Sequence, residues 1–217
     1  MAAPRLTPRR HVRSVDAVAP ACLRQDGTSL VELIFALGVA ATVCGIAVAT
    51  VAGAVSDARA NAAARSLAAR LQRARLEAVL RNRHVGLRVT HTSVSDLLTA
   101  YEDGDDDGVL SADIVSGIDR PFDAPFALRD QFPGVTFGAL PALPAADPAS
   151  TPPGSDPVRL GVSDTAVFTP HGTATAGTLY LLGTGGQQYA VRIFGETGRT
   201  RVLRFNAATW TWQTTGS

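Results

Sequence analysis

Cysteine is scarce in this 217-residue sequence, which contains only Cys22 and Cys44. Cys22 lies in a basic N-terminal segment and Cys44 lies inside a long apolar run, so the two are poorly placed to form a disulfide bond. This arrangement excludes a disulfide framework and a cysteine-based metal site. A folded domain in this chain must therefore be held together by core packing alone.

Lysine is absent, and all twenty basic residues are arginine. We interpret this as compositional bias. The charge is uneven, because residues 1–27 carry five arginines against Asp16 and Asp26, a local net charge of +3. This leaves −2 for the remainder of a chain whose formal charge is +1. A slightly acidic remainder argues against a general nucleic-acid-binding protein. Nucleic-acid binding by a local basic patch stays open.

Enzyme motifs are missing as well. The four histidines are scattered, with none at a metal-ligand spacing from another His, Cys or carboxylate: His11, His84, His91 and His171. Nothing resembles a nucleophile elbow, a phosphate-binding loop or a dinucleotide fingerprint. We therefore predict that the protein is not an enzyme, with no catalytic residue and no certain cofactor.

What the sequence does contain is a long apolar run at residues 30–55, with Glu32 as its one charge and no proline. As a helix this run would span roughly 39 Å at about 1.5 Å per residue, which is enough to cross a bilayer. Because the arginine-rich segment precedes it, residues 1–27 are predicted to lie in the cytoplasm and the C-terminus outside.

Glu32 separates this run from a simple secretory signal. The apolar core of such a signal usually has about 7–15 residues, with a small-residue cleavage site after it. Here the run is longer and carries a carboxylate near its start. An ionisable group at the edge of a membrane helix is costly unless it is paired, so Glu32 predicts a partner. An ordinary signal anchor that happens to contain a Glu stays open as an alternative.

The residues around Glu32 resemble the type IV pilin and pseudopilin superfamily. Its processing signal is a basic leader ending in Gly, then an apolar stretch with Glu at the fifth mature position; here the leader ends with Gly27 and the stretch begins with Thr28. The resemblance implies cleavage after Gly27 by prepilin peptidase and methylation of the new N-terminus, although the family usually has Phe where this chain has Thr28. It also implies that Glu32 neutralises the N-terminal amine of a neighbouring subunit.

Beyond the span the pattern stays helical to about residue 84. Apolar residues recur at steps of three and four along one narrow face: Ala60, Ala64, Leu67, Leu71, Ala74 and Ala78. Arginines occupy much of the remainder and predict a solvated face or a filament contact, with a nucleic-acid surface as the other interpretation: Arg59, Arg65, Arg70, Arg73, Arg75, Arg81 and Arg83. We predict one long helix over residues 28–84, transmembrane at about 30–55, whose second half packs on the following domain.

Residues 85–217 are predicted to form a β-rich domain. Short alternating or apolar segments bounded by turn residues indicate strands: 85–91, 93–101, 134–140, 158–162, 177–183, 188–195, 200–205 and 208–214. Residues 141–158 are rich in Pro, Ala and Ser and predict an irregular, exposed insertion. The fold class is therefore α+β, with one long N-terminal helix, membrane-spanning in its first half, packed on a β-rich C-terminal domain, as in the pilin-like fold.

Two motifs near the C-terminus narrow the resemblance from the superfamily to one of its groups. Residues 168–172 (Phe-Thr-Pro-His-Gly) and 195–201 (Gly-Glu-Thr-Gly-Arg-Thr-Arg) are similar to the C-terminal strands of the GspH/FimT group of minor pseudopilins. The resemblance implies a structural subunit of a type II secretion pseudopilus or a type IV pilus. It implies an inner-membrane protein with a periplasmic C-terminal domain, incorporated into the filament after assembly. Its partners would be other pilin or pseudopilin subunits, prepilin peptidase and the inner membrane.

An acidic loop is a candidate calcium site. Asp103, Asp105 and Asp107 stand at loop positions one, three and five, followed by a Gly at position six, as in EF-hand-type loops. Together with the carbonyl of Val109 they would bind the ion. The closing carboxylate is missing from position twelve, which is Ile114. Because Asp and Gly are also common turn formers, a simple acidic turn is the other interpretation.

Arg199 and Arg201 form a candidate DNA-binding patch. In a strand they would point to the same side, roughly 6.6 Å apart, a separation that suits successive phosphates. Arg192 or Arg204 could extend the patch. Some minor pilins of the FimT type carry a similar Gly-Arg-x-Arg in DNA uptake, so the resemblance implies a DNA-binding minor pilin as the alternative function. Two solvated arginines at the start of a strand are the simpler interpretation.

Overall fold

The computed structural model describes residues 29–92 and 95–215, without the side chains of residues 46–49. The helices are α1 (Leu30–Arg81), α2 (Ser111–Ser116) and α3 (Leu128–Gln131). The strands are β1 (Val85–His91), β2 (Asp96–Glu102), β3 (Arg120–Pro121), β4 (Phe126–Ala127), β5 (Val135–Phe137), β6 (Val158–Arg159), β7 (Thr165–Phe168), β8 (Gly177–Gly183), β9 (Gln188–Phe194), β10 (Arg199–Asn206) and β11 (Thr211–Thr214). The chain divides into two compact units, Met1–Gly45 and Ile46–Ser217.

Helix α1 begins in the first unit, where its described side chains are exposed and almost all apolar. It ends in the second unit at Arg81, because Asn82 takes a left-handed backbone conformation with φ of 53°. The N–H of Arg83 donates to the Ala78 carbonyl (3.2 Å), and the N–H of Asn82 donates to the Val79 carbonyl (3.4 Å). This is the Schellman pattern, which satisfies the last carbonyls of a helix. It ends α1 just before the predicted limit at residue 84.

Two antiparallel sheets form the β-rich part of the second unit. In the first, which we call sheet A, the strand order is β3-β2-β1-β7, and β4 also pairs with β2. In the second, sheet B, the order is β11-β10-β9-β8-β5, and β6 also pairs with β8. The predicted α+β class, with a long helix packed on β-sheets, is confirmed.

The main core joins α1 to both sheets. All six residues predicted for the apolar helix face are buried, and Ala63 is buried beside them. They pack against inward-facing residues of sheet A, such as Leu87 and Leu98, and of sheet B, such as Leu181 and Val191. Because successive strand residues point to opposite faces, the alternate residues of sheet B lie on the side away from α1.

That outer face of sheet B carries a smaller core, and it corrects one prediction. Residues 141–158 have no regular structure up to β6, as predicted, but Leu143 and Ala146 are buried. They pack with Tyr180, and the N–H of Ala146 donates to the Tyr180 hydroxyl (3.0 Å). The prediction of an exposed insertion is therefore wrong for these residues, because the outer face of sheet B is itself apolar and needs a cover.

Most predicted strands exist, some of them shorter than expected. The strands at 85–91 and 177–183 are confirmed with their predicted bounds. The strand expected at 134–140 stops at Phe137, because the Leu140 N–H donates to the side chain of Gln188 (3.0 Å) and not to a strand. The strand expected at 158–162 stops at Arg159, shortly before Gly161 turns the chain with φ of 69°.

Candidate functional site

The N-terminal helix carries the predicted assembly residue. Glu32 lies in the first turn of α1, where a carboxylate also interacts favourably with the positive end of the helix dipole. By length and composition, α1 is the one helix in the described residues that could cross a membrane. Gly27 and Thr28, the predicted processing residues, lie outside the described residues. The role of Glu32 in register stays a prediction.

At the end of the apolar run, α1 is hydrogen-bonded to the turn between β8 and β9. The Ser56 hydroxyl donates to Oε1 of Gln187 (2.8 Å), and Nε2 of Gln187 reaches the carbonyl of Gly53 (3.5 Å). One helical residue further, Asp57 accepts a hydrogen bond from the Tyr189 hydroxyl (2.9 Å) and pairs with Arg204 (3.0 Å). Burial and the bond to Asp57 raise the pKa of Tyr189 to about 12, so this phenol stays a donor at neutral pH.

The two C-terminal motifs meet at Arg75 of α1. Nε of Arg75 donates to the Gly172 carbonyl (3.2 Å) in the first motif. The neighbouring Gln72 donates from Nε2 to the Gly198 carbonyl (3.1 Å) in the second motif and to the Thr200 hydroxyl (3.1 Å). The motifs therefore bind the domain to its helix. We predicted that the arginines of α1 form a solvated face or a filament contact. This prediction is wrong for Arg75, whose side chain is half-buried and contacts the domain.

We expect Gly198→Ala to destabilise the domain strongly. Gly198 has φ of 59°, and a Cβ there would lie 2.5 Å from the Gly172 carbonyl oxygen and 2.9 Å from Cδ of Arg75. The backbone conformation alone costs about 1–2 kcal/mol for an L-residue, and the clash adds to it. Gly186→Ala is the matched control, since Gly186 has φ of 77° and open space around it. Equal losses in denaturant unfolding would contradict the close approach.

The acidic loop is organised around two buried aspartates. Oδ1 of Asp103 accepts the N–H groups of Asp105 (3.1 Å) and Asp106 (2.8 Å), while Oδ2 accepts that of Gly108 (2.9 Å). Nδ1 of His84 lies 2.9 Å from Oδ2. Burial by itself raises the pKa of Asp103, but these donors outweigh it and hold the pKa below its usual value. Asp119 likewise accepts backbone N–H groups at both ends of the loop.

The carboxylates of this loop form two overlapping groups whose oxygens lie within 4.8 Å of one another. One joins Asp105 and Asp107 to Asp113, and the other joins Asp105 to the two buried aspartates. Partial desolvation and then the neighbouring Asp105 raise the pKa of Asp107. The predicted set of Asp103, Asp105 and Asp107 is thus divided between the two groups, with Asp105 as the member that they share. Calcium binding, including a part for the Val109 carbonyl, stays a prediction.

Arg199 and Arg201 both lie exposed on β10. Arg201 stands opposite Arg192 in the sheet, and both guanidinium groups lie near the Phe194 ring, at 5.4 and 4.6 Å from its centroid. Arg192 is ion-paired with an aspartate of the 141–158 segment (2.9 Å). Arg204 turns toward α1, so its expected place in the patch is wrong. DNA binding by Arg199 and Arg201 stays a prediction.

The sequence comparisons assign the family. The model described as Type II transport protein GspH matches residues 63–198, more than half of the chain. The match includes α1 from residue 63 to its end and both C-terminal motifs up to Gly198. The chain belongs to the GspH family. Comparison with curated proteins gives no match.

Two solved structures of the minor pseudopilin EpsH from the Type 2 Secretion System of Vibrio cholerae are similar to this chain. One is 19% identical with a TM-score of 0.42, and the match covers 67% of this chain and 97% of that one. The other is 14% identical with a TM-score of 0.36, and the match covers 73% of this chain and 94% of that one.

The residues that join helix and domain were missed by sequence reasoning. Arg75 and Gln72 stand in a helix full of polar residues, where nothing marks them as different from their neighbours. A glycine in each motif was the available signal, since a glycine that must approach another backbone closely indicates a contact. The sequence gives no indication of which helix residue makes that contact.

Proposed function

We propose that this protein is a minor pseudopilin, a structural subunit of a type II secretion pseudopilus. Residues 1–27 form a leader that prepilin peptidase removes, and residues 28–84 form the assembly helix, anchored in the inner membrane at about 30–55. Residues 85–217 form the periplasmic domain. One observation supports the proposal most directly. A single continuous helix is apolar and exposed over residues 30–45, and its second half packs against the β-sheets of a GspH-family domain.

The mechanism is assembly by helix packing. After cleavage the helix leaves the bilayer and packs among the helices of neighbouring subunits, driven by its apolar side chains, such as Leu33 and Phe35. A carboxylate in an apolar setting is costly unless it is paired, and the amine of a neighbouring Thr28 would be the partner of Glu32. The pairing would set the axial register of the subunit.

Maturation is the first test. We expect the intact mass of the membrane-extracted protein to correspond to loss of residues 1–27 only when prepilin peptidase is present. Gly27→Leu should leave the chain uncut, because the processing signal of the family ends in Gly and the side chain of Leu would occupy the cleavage site. Cleavage after the apolar run, or an uncut chain in both conditions, would favour a signal peptide or a signal anchor.

Glu32→Ala tests assembly separately from cleavage. We expect the variant to be processed but to lose crosslinking to neighbouring pseudopilins by about tenfold or more, because removal of Glu32 leaves the neighbouring amine unpaired in an apolar setting, which costs about 3–5 kcal/mol. Glu196→Ala is the control, because it removes an exposed carboxylate from the turn between β9 and β10. If both variants crosslink like the natural chain, Glu32 has no role in register.

A further inference from the structure

Two hairpin turns lie at the same end of sheet B, and the first of them contacts α1 at Gly53 and Ser56. The turn between β8 and β9 is held there by the contacts of Gln187 with Ser56 and Gly53. These helix residues stand at the end of the apolar run. The turn is therefore placed at the level where the predicted membrane span finishes.

The turn between β10 and β11 reaches the same level. Arg204 of β10 is aligned with Tyr189 of β9, so Asn206, two residues further on, stands level with Gln187. The strand ends there, and residues 207–210 form the turn that follows. This second turn thus projects beyond the contacts that tie sheet B to α1.

Both turns are free of charged residues, and the second presents an aromatic side chain. Residues 184–187 and 207–210 contain only Gly, Ala, Thr, Gln and Trp. Trp210 is 53% exposed and packs edge-on against Phe205, with 5.1 Å between the ring centroids. Its φ of 55° is rare for a bulky residue and holds the chain in a tight turn. Asp57, the first charged residue of α1 after the apolar run, is paired with Arg204 (3.0 Å).

We propose that this end of the domain rests on the lipid surface from which α1 emerges, with Trp210 inserted at the level of the headgroups. Tryptophan favours this interface because its ring is largely apolar and its N–H can still find a polar partner. Uncharged turns avoid the cost of bringing a charge to the acyl boundary. The proposal rests on the membrane anchoring of residues 30–55 and adds a second contact, which orients the domain before assembly.

The test uses the full chain in phosphatidylcholine vesicles. The protein has two tryptophans, so Trp212→Phe leaves the emission of Trp210 alone, and Trp210→Phe leaves that of Trp212. We expect lipids brominated near the headgroup end of the acyl chain to quench Trp210 about twofold, and lipids brominated at the methyl end to quench it less. Trp212 is half-buried and donates to the Pro144 carbonyl (3.0 Å), so it should be quenched little.

Flotation of the vesicles separates the two hypotheses. A chain that does not float overturns both the anchoring and this inference. A chain that floats, with Trp210 quenched by iodide in the water and not by brominated lipid, overturns the inference alone. Protection of Trp210 only when other pseudopilins are present would assign the surface to a neighbouring subunit and also overturn it. If Trp212→Phe does not fold, the difference between the natural chain and Trp210→Phe gives the same quantity.

Discussion

Replacing Leu71 by Ala is expected to lower the free energy of unfolding of the β-rich domain by about 2–5 kcal/mol. Leu71 is fully buried in the core that joins α1 to the two sheets. The truncation removes buried apolar atoms and leaves a cavity, because the flanking alanines are too small to fill it. The measurement is guanidinium unfolding of the full chain in mild detergent, followed by tryptophan fluorescence.

Leu80→Ala is the matched control for this loss. Leu80 lies on the same helix and is 79% exposed. Its truncation should change the unfolding free energy by no more than about 0.5 kcal/mol, as is usual for surface positions. A loss at Leu80 as large as that at Leu71 would mean that the outer side of α1 is covered in solution, and the assignment of the core face would then fail.

Asp103→Ala is expected to cost about 3 kcal/mol, because it removes a buried carboxylate and leaves the N–H groups of three loop residues without their charged acceptor. Asp105→Ala is the control within the same loop. Asp105 is exposed and belongs to both acidic groups, so its removal relieves repulsion and should be neutral or slightly stabilising. If Asp103→Ala proves harmless and Asp105→Ala costly, Asp103 does not hold the loop together.

The same carboxylate predicts how stability depends on pH. The pKa of Asp103 is lower in the folded protein than in the unfolded chain, so the unfolded chain binds more protons in this range. The contribution of Asp103 to the free energy of unfolding is therefore fully present above its pKa in the unfolded chain, about 4. It is lost as the pH falls through the lower pKa that Asp103 has in the folded protein. The difference in unfolding free energy between the natural chain and Asp103→Ala should shrink below about pH 4. A difference that is constant down to lower pH would exclude this cause.

Periodicity made much of this fold predictable from the sequence. Apolar residues recur every three or four positions from Ala60 to Ala78, so they lie on one face of the helix. This face is buried when the helix packs with it against the sheets. Apolar and polar residues alternate along β1, whereas β8 is a nearly continuous apolar run. Turn-forming residues follow β1, and a glycine stands at each end of β8. These signals are local, and the tertiary structure agrees with them.

The parts that could not be predicted depend on contacts between distant residues. Arg75 and Arg73 look alike in the sequence, yet one reaches the Gly172 carbonyl and the other pairs with Asp123 at the surface (3.2 Å). Leu143 lies in a segment whose composition predicts exposure, and it is buried only because Tyr180 faces away from α1. Asp103 fits the pattern of a metal loop, but the backbone folds back on its carboxylate.

The face that α1 turns toward the sheets is made largely of alanine, with Ala60, Ala63, Ala64 and Ala78 fully buried. Alanine has no side-chain rotamers to lose, so ordering this face costs almost no side-chain entropy. The same property leaves the interface unable to adapt, since a larger residue at any of these positions adds volume where the packing has none to spare. Sequence drift along this face is therefore limited by space more than by polarity, and Gly or Ser should be tolerated better than Val or Leu.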